Sequence, residues 1–550
     1  EPGESQVLTV RFTAQDMASY DWNDANDNGF SGYELEAGDY VISVNRNSHE
    51  VVDSVTRTIA EDIKCETDLV SGNKIENRFV ATDSMDYDYS SVNDSLLDNM
   101  ISRATGLKQP KPSSVEDRTL DEYTYGILTG QRTFRSTEDV GDEPWYVEAD
   151  GLPATWDQKA TRGATDAEEI SITDMIGVQF ELDIENGAVV QGTDAGSKKW
   201  ESFMNQLTWT EIADLVRNGG GTQAIPAVGV RQTGASETPL QLGGGTLWVC
   251  PPIIAATFNV DLAHRQGVMM GNEALFKGVS YWQGGAMNIH RSPLGGRNVE
   301  YYSQDGMHSA LMAAAVTSGV ASKGVTTHLK HMMLNDQETY RDVNGGVATW
   351  ATEQVIREIY AKPFEYAIKY GHSTGIMISF NRIGLWNSEV NYALHELVGT
   401  EWDSRAIFET DAWQGTYMPI DLMVRTGDNQ ILGSGSTIPE VALEVGTWDA
   451  ENKTVLVSDG TATGTTASNT HYAAVRIAAQ EILYNYCNGN AVQNAYEPAE
   501  CVLEFTQYGT ESQSVNFPGI DFTTVTVDPE SVPEGFTVDA SGVVSSSSPA

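Results

Sequence analysis

The chain has 550 residues, of which 40% are apolar and 12 are tryptophan, a composition typical of a globular protein too long for one hydrophobic core, so we expect two to four domains. Its 33 basic and 77 acidic residues give a formal charge of −44, which argues against nucleic acid and anionic membrane as partners but not against a neutral ligand such as a sugar. No run of about 18 apolar residues occurs, so no membrane span is predicted.

The acidic composition is typical of a secreted or salt-tolerant protein, and we expect an extracellular or cell-surface location. The chain opens with Glu1-Pro-Gly-Glu4, which resembles the interior of a domain and shows no signal peptide, so we expect the natural N-terminus to be missing. The four cysteines lack metal-ligand spacing. Cys487 and Cys501 are close enough in sequence to pair, and two free thiols fit the spacing equally well.

Residues 1–95 are predicted to be β. Residues 7–12 and 33–44 alternate apolar and polar side chains, as in a small sandwich. Asp24 to Gly29 resembles the start of a calcium loop, but the twelfth position is Leu35 rather than Glu, so an acidic glycine turn is favoured over a calcium site. We expect no metal ion and no cofactor.

Residues 96–200 are polar and punctuated by Pro and Gly, which predicts an extended connector that wraps the core. From residue 201 to 492, short apolar runs at 325–329, 375–379 and 405–409 alternate with helical patterns such as 352–370 and 471–486. This order predicts an α/β fold, a (β/α)8 TIM-like barrel whose site lies where the strands end. Residues 493–550 return to a β pattern and finish in a linker-like Ser-rich stretch.

Polar residues suited to carbohydrate stand at the predicted strand ends. Arg297, Lys330 and His331 are donors able to bind neighbouring hydroxyl groups, and hydrogen bonds to charged groups contribute about 1.5–3 kcal/mol each. Asp411 follows an apolar run, where a barrel strand delivers a side chain to the catalytic mouth. A carboxylate there can attack an anomeric carbon, although a lone Asp at a strand end is more often structural.

Several motifs occur in one order over about 200 residues. Residues 288–305 read NIHRSPLGGRNVEYYSQD, 330–341 read KHMMLNDQETYR, 377–381 read MISFN, 401–402 read EW, and 410–412 read TDA. They resemble the "NIxRxPxxGRxxExxSED", "KHFxxNxQExxR", "MxSYN", "REWGF" and Ser-Asp-Trp motifs of glycoside hydrolase family 3, β-glucosidase type. The resemblance implies that Asp411 is the nucleophile, that Arg297, Lys330 and His331 hold the sugar of the −1 subsite, and that Met377 lines it.

Other positions depart from the family motifs. Glu237 stands where the family has the Asp of "DGP", Phe380 where it has Tyr, and Ala412 where it has a stacking Trp, with Trp413 one residue later. We include Glu237, Phe380 and Trp413 among the candidate substrate-binding residues. By the same resemblance, Arg291, Glu300 and Glu338 are expected to be scaffolding partners, and His290 a packed core histidine.

The order of the modules resembles that of the circularly permuted family members. Residues 1–50 resemble the fibronectin-III-like domain, residues 172–175 and 203–211 resemble the approach to the barrel, and residues after 510 resemble the start of an Ig-like module. In such members an α/β-sandwich domain that supplies the acid/base Glu comes first. We therefore expect this sandwich to be provided by a second polypeptide or a separate segment.

The sequence thus predicts a retaining exo-acting β-glycosidase, foremost a β-glucosidase, with an oligosaccharide or β-glycoside as substrate. The departures at Glu237, Gln304 and Ala412 leave open a non-catalytic scaffold or glycan-binding protein. A calcium-dependent adhesive module, based on the Asp24–Gly29 turn alone, ranks last.

Overall fold

A computed structural model describes residues 12–79 except 48, and 147–492 apart from short gaps at 164–169, 239, 243–244, 343–345, 385, 389–391, 416, 434–440, 442–443 and 459–463. Beyond residue 492 it describes only the backbone of three short strands. Of the alternating stretch at 7–12 only Phe12 is described, and the β pattern around Cys501 lies outside the described residues.

The strands are β1 Ser19–Asp21, β2 Gly32–Leu35, β3 Gly38–Asn45, β4 Val51–Ile59, β5 Ile63–Cys65, β6 Leu182–Glu185, β7 Ala188–Gln191, β8 Gly234–Glu237, β9 Val279–Ala286, β10 Thr326–Met332, β11 Ala348–Thr349, β12 Gly375–Ile378, β13 Arg382–Ile383, β14 Trp386–Asn387, β15 Ile407–Glu409, β16 Thr447–Asp449, β17 Thr454–Ser458, β18 Thr465–Ser468, β19 Ser512–Ser514, β20 Phe536–Val538 and β21 Val543–Ser546. The α-helices are α1 Ala14–Met17, α2 Ala195–Met204, α3 Trp209–Arg217, α4 Pro251–Ala255, α5 Val260–Lys277, α6 Gly306–Ala321, α7 Glu353–Val355, α8 Lys362–Lys369, α9 Tyr392–His395, α10 Ile420–Thr426 and α11 Asn469–Asn488.

Residues 12–79 are β-rich, as their alternation predicts. β1, β2 and β5 form an antiparallel sheet over a small core of Tyr20, Tyr33 and Ile75, while β3 and β4 pair only with each other. Asp24 accepts backbone hydrogen bonds from Asn28 and Gly29, and so closes a tight acidic turn. The fibronectin-III-like assignment stays a prediction.

Residues 147–217, which overlap the predicted connector, contribute to a hydrophobic core. The β6–β7 hairpin, α2 and α3 pack with the long helix α11. Phe180 and Trp200 are fully buried there, with ring centroids 5.9 Å apart. The Pro and Gly content that predicts an extended path does not prevent this packing, because the apolar side chains between the breaks are covered by α11.

The central sheet is parallel, as the alternation of strands and helices predicts. Its order is β15-β12-β10-β9-β8, and β9 and β10 are buried along their whole length. Helices α5, α6 and α8 cover it with a second apolar core. Because both faces of these strands are covered, polar side chains such as Gln283 in β9 and His328 in β10 are buried together with the apolar ones.

The predicted (β/α)8 barrel is not seen as a closed barrel in the residues that the structure describes. Among the described residues after β15, Gln430 pairs with the sheet through an isolated bridge to Glu409, and Leu432 accepts the backbone N–H of Trp413. Ile431 then exchanges backbone hydrogen bonds with Val216 and Gly219 instead of extending a strand. Residues 447–468 form the antiparallel sheet β16–β18, whose pairing geometry does not extend the parallel ladder.

Two predicted helices agree closely with the structure. The pattern at 471–486 lies within α11, which begins after a Ser468 cap. The pattern at 352–370 forms α7 and α8, separated by a π-helical turn at Ile356–Tyr360 just before Pro363. Proline lacks the N–H that a continuous helix would use, so a new helical segment starts there.

No helix within the described ranges combines the length and apolar character needed to cross a lipid bilayer. The described cysteines Cys65, Cys250 and Cys487 have free thiols. The pairing of Cys487 with Cys501 stays a prediction.

A buried ion network joins the N-terminal β residues to the helices beside the sheet. Arg357 donates through Nε to Glu353 at 2.9 Å and through Nη1 and Nη2 to Glu401 at 2.6 and 3.0 Å. Glu353 also accepts from the backbone N–H groups of Arg78 and Phe79, at 2.9 and 3.2 Å. These contacts between distant parts of the sequence hold residues 76–79 against the helices.

Candidate active site

The candidate residues gather at the carboxyl ends of the parallel strands. Glu237 ends β8, Lys330 and His331 lie near the end of β10, and Asp411 follows β15. Because neighbouring parallel strands end at one edge of the sheet, these side chains meet although 174 positions of sequence separate the first from the last (411 − 237).

Asp411 lies at the centre of this group with only 16% of its side chain exposed. Its Oδ1 accepts the backbone N–H of Ala412 at 2.7 Å, and its Oδ2 lies 3.4 Å from Nε2 of His331. Burial raises the pKa of Asp411, while the Ala412 hydrogen bond and the charges of Arg341, Lys330 and Arg297 oppose that rise. A buried carboxylate surrounded by cations is suited to be a nucleophile because little water competes for its charge.

A glutamate two residues earlier fixes the end of β15. Glu409 is fully buried and accepts hydrogen bonds from Gln283 and His328, both at 2.6 Å, and from the backbone N–H of Gly220. These bonds tie β15 to β9 and β10 directly beneath Asp411. Sequence reasoning missed Glu409, although a charged residue within a buried apolar run was a visible signal.

Lys330 is a buried cation with spare donors. Its side chain is 2% exposed, and among the described residues its Nζ approaches only one carboxylate, that of Glu237, at 4.0 Å. Burial, followed by repulsion from Arg297, lowers the pKa of Lys330. An ammonium group at this distance from its counter-ion retains donors for a ligand.

His331 is held by its backbone. The side-chain amide of Asn288 accepts a hydrogen bond from the His331 backbone N–H at 2.7 Å and donates one to the His331 carbonyl at 2.8 Å. These two bonds resemble those between paired residues of neighbouring strands. Burial, followed by the charges of Arg297, Lys330 and Arg341, lowers the pKa of His331 well below its ordinary value. The imidazole is therefore neutral.

Arg297 reaches the same pocket from a short 3-10 turn, Asn298–Glu300, that it precedes. Its Nε and Nη2 donate to the two carboxylate oxygens of Glu300 at 3.0 and 2.8 Å, and its Nη1 lies 3.0 Å from Nε2 of His331. The expected scaffolding role of Glu300 agrees with this contact. Glu338 similarly pairs with Arg341, at 2.8 Å.

Three other predicted residues take different surroundings. Met377 is 3% exposed and pairs in register with Glu409, so its side chain lies on the same face of the sheet as that of Glu409. Phe380 is 2% exposed and lies under the guanidinium of Arg341, 4.8 Å from its ring. Trp413 packs in the core and donates from its indole nitrogen to the carbonyl of Met418 at 2.9 Å.

Glu237 is the exposed member of the group, with 76% of its side chain accessible.

Arg341 is the cation that sequence reasoning did not select, although it closes the run 330–341. Of the remaining residues, Arg291 pairs with Asp336 at 2.6 Å. His290 lies 2.8 Å from the carbonyl of Tyr301 but is only half-buried, so it is not the core histidine that was expected.

Parts of the chain are similar to known proteins. Residues 220–402 match the family model described as Glycosyl hydrolase family 3 N terminal domain, which includes Glu237, Arg297, Lys330 and His331 but ends before Asp411. Probable beta-glucosidase H of Aspergillus clavatus is 37% identical over 172 residues, which is 31% of this chain and 20% of that protein. Beta-glucosidase A of Butyrivibrio fibrisolvens is 26% identical over 431 residues, which is 75% of this chain and 46% of that protein.

The crystal structure of a beta-glucosidase from Paenibacillus barengoltzii matches over 89% of this chain and 48% of that chain, with a TM-score of 0.57 and 22% identity, and so supports the fold alone. The chain spans between a fifth and about half of the length of these proteins. Residues 220–402 therefore carry a glycoside hydrolase family 3 N-terminal domain, and over part of their length this chain is similar to proteins named beta-glucosidases.

Proposed function

We propose that this chain provides the nucleophile and the sugar-binding residues of a retaining exo-β-glycosidase that acts outside the cell on terminal β-linked sugars, β-glucosides foremost. The observation that carries the proposal is the placement of Asp411, a buried carboxylate beside neutral His331 and within reach of the charges of Lys330 and Arg297. Such donors suit the hydroxyl groups of one sugar ring, and the carboxylate suits its anomeric carbon.

In this mechanism Oδ2 of Asp411 attacks the anomeric carbon while the bond to the leaving oxygen breaks. A Glu on a separate segment or chain gives its proton to that oxygen, and a glycosyl-Asp411 ester forms. The same Glu then removes a proton from water, which attacks the anomeric carbon and releases the sugar and Asp411. Retention requires the two carboxyl groups to lie about 5–5.5 Å apart, so the segment must dock over the strand ends.

The test is covalent trapping. A 2-deoxy-2-fluoro β-glucoside with a good leaving group needs little protonation, so the chain alone should form the ester even if general acid catalysis, worth about 10²–10⁴-fold, is absent. Intact mass spectrometry and peptide mapping should place one fluoroglucosyl group on Asp411, and Asp411→Asn should remain unlabelled. Labelling of another residue, or no labelling after the complementary segment is added, would contradict the proposal.

A second candidate function is glycan binding without catalysis. The departures from the family motifs at Glu237, Gln304 and Ala412 motivate it, because a protein that only binds a glycan does not need the complete catalytic motif. A binding protein would hold the fluoroglucoside reversibly, with equal affinity in the Asp411→Asn variant. Calorimetry beside mass spectrometry therefore separates the two functions.

A further inference from the structure

The contacts around His331 decide which of its ring nitrogens carries the proton. Nε2 of His331 lies 3.0 Å from Nη1 of Arg297. A guanidinium has only N–H donors and no acceptor, so Nη1 must donate and Nε2 must accept. Since the imidazole is neutral, its single proton lies on Nδ1.

The arginine is fixed in this orientation. Glu300 binds Nε and Nη2 with its two oxygens, and this two-point contact turns the remaining edge of the guanidinium, Nη1, toward His331. Asn288 holds the His331 backbone from both sides. The donor and the acceptor are therefore both positioned before any ligand binds.

The same nitrogen faces the nucleophile, since Oδ2 of Asp411 lies 3.4 Å from Nε2. A proton on Nε2 would be donated to Oδ2, and a hydrogen bond to a carboxylate stabilises its charge and reduces its nucleophilicity. A lone pair on Nε2 makes that bond impossible. The one hydrogen bond to the Asp411 carboxylate within the described part of the chain goes to Oδ1, from the backbone N–H of Ala412.

We propose that Arg297 is a positioning residue that sets the tautomer of His331 and thereby leaves Oδ2 of Asp411 without a hydrogen bond from the imidazole. This role adds to its predicted contact with sugar hydroxyls. It explains why a histidine can lie against the nucleophile without weakening it. The consequence for reactivity rests on the proposed function, whereas the tautomer itself does not.

The test is ¹⁵N magic-angle-spinning NMR of the full chain with ring-labelled histidine, in which protonated and unprotonated ring nitrogens resonate far apart. The signals of His331, one of nine histidines, are assigned by their loss in His331→Gln. In the unchanged protein at neutral pH, Nδ1 should be protonated and Nε2 should not. In Arg297→Met, the proton should move to Nε2, where Asp411 accepts it.

Arg291→Met is the matched control, because Arg291 contacts Asp336 rather than His331, and it should leave the tautomer unchanged. If Arg297→Met does not fold, Asp411→Asn replaces it, and the proton should remain on Nδ1 because Arg297 still donates to Nε2. A proton on Nε2 in the unchanged protein, retention on Nδ1 in a folded Arg297→Met, or a switch in Asp411→Asn would each overturn the inference. These spectra need no turnover, so failed trapping counts against the proposed function alone.

Discussion

Two buried clusters of charge differ in how much of their hydrogen-bonding capacity is used. Around Arg357, the guanidinium nitrogens are shared among Glu353, Glu401 and the carbonyl of Glu76, and the carboxylates accept further backbone groups. At the strand ends, Lys330 approaches a single exposed carboxylate, and the buried Nδ1 of His331 has no hydrogen-bond partner among the described residues.

We infer that the difference separates structural charges from those of the proposed sugar-binding site. A buried charge with every donor satisfied holds two parts of the chain together and has nothing left for a ligand. A buried charge with spare donors costs folding free energy, and this cost is tolerated where the donors serve a ligand. Substitutions in the two clusters should therefore affect different measurements.

The largest effect is expected from Glu401→Gln. The substitution leaves Arg357 buried without its main counter-charge, and breaking a buried ion pair in this way costs about 3–5 kcal/mol of unfolding free energy. Urea denaturation followed by tryptophan fluorescence measures the loss. Glu50→Gln, in the exposed Arg46–Glu50 pair, is the control and should leave the unfolding free energy unchanged. Equal losses of unfolding free energy in both variants would contradict the structural role of the buried cluster.

The next largest effect is expected in the pH dependence of the unfolding free energy, to which the carboxylates of Glu365 and Asp411 should contribute with opposite signs. Burial alone would raise the pKa of Glu365, but Lys362 and Lys369 outweigh it and hold the pKa at about 2. As the pH falls, the Glu365 carboxylate of the unfolded chain is protonated before that of the folded chain. The stability that Glu365 contributes is therefore complete above its ordinary pKa of 4.5 and is lost as the pH falls toward 2. At about 1.4 kcal/mol per pH unit, the contribution is roughly 3 kcal/mol at most.

Unfolding free energies of the unchanged protein and Glu365→Gln, measured from pH 6 to about 2, should therefore converge at the acid end. Asp411 should behave in the opposite way. Because burial raises its pKa, its ionised form costs stability, and Asp411→Asn should be more stable than the unchanged protein at neutral pH. A loss of stability in Asp411→Asn would mean that the Asp411 carboxylate stabilises the fold, as the charges around Arg357 do.

Lys330→Met should affect ligand binding and not stability. The variant loses a charged donor to a sugar hydroxyl, worth about 1.5–3 kcal/mol, so affinity should fall about 10- to 100-fold. Titration calorimetry with glucono-1,5-lactone gives the affinity, and thermal unfolding should show equal or greater stability because a desolvated ammonium has been removed. Lys74→Met, at an exposed lysine, should match the unchanged protein in both assays.

The smallest effect is expected from Asn288→Ala, which removes two hydrogen bonds to the His331 backbone. At about 1 kcal/mol each, they should lower stability by about 1–2 kcal/mol, and the lactone should bind several-fold more weakly because His331 is no longer positioned. Asn488→Ala removes two hydrogen bonds to the backbone of Gly177 and Tyr484, at the C-terminal end of α11, and should reduce stability only. Unchanged lactone affinity in Asn288→Ala would show that the contact is purely structural.

The sequence by itself determined the local elements and the chemical types at the site. Apolar runs and helical periodicity predicted the parallel strands and the helix at 471–486, because the burial of a strand or of a helix leaves a readable pattern. The motifs selected Arg297, Lys330, His331 and Asp411, which the structure brings to one edge of the sheet.

Only the tertiary structure decided how these parts are arranged. Whether the sheet closes depends on pairing between distant segments, and Gln430 joins it through a single bridge that no local pattern encodes. Likewise, Phe380 and Trp413 have the side chains of stacking residues, but Arg341 covers one ring and the core encloses the other. The physical reason is that periodicity reports which side chains are buried, whereas the partner that buries each one is fixed only when the whole chain packs.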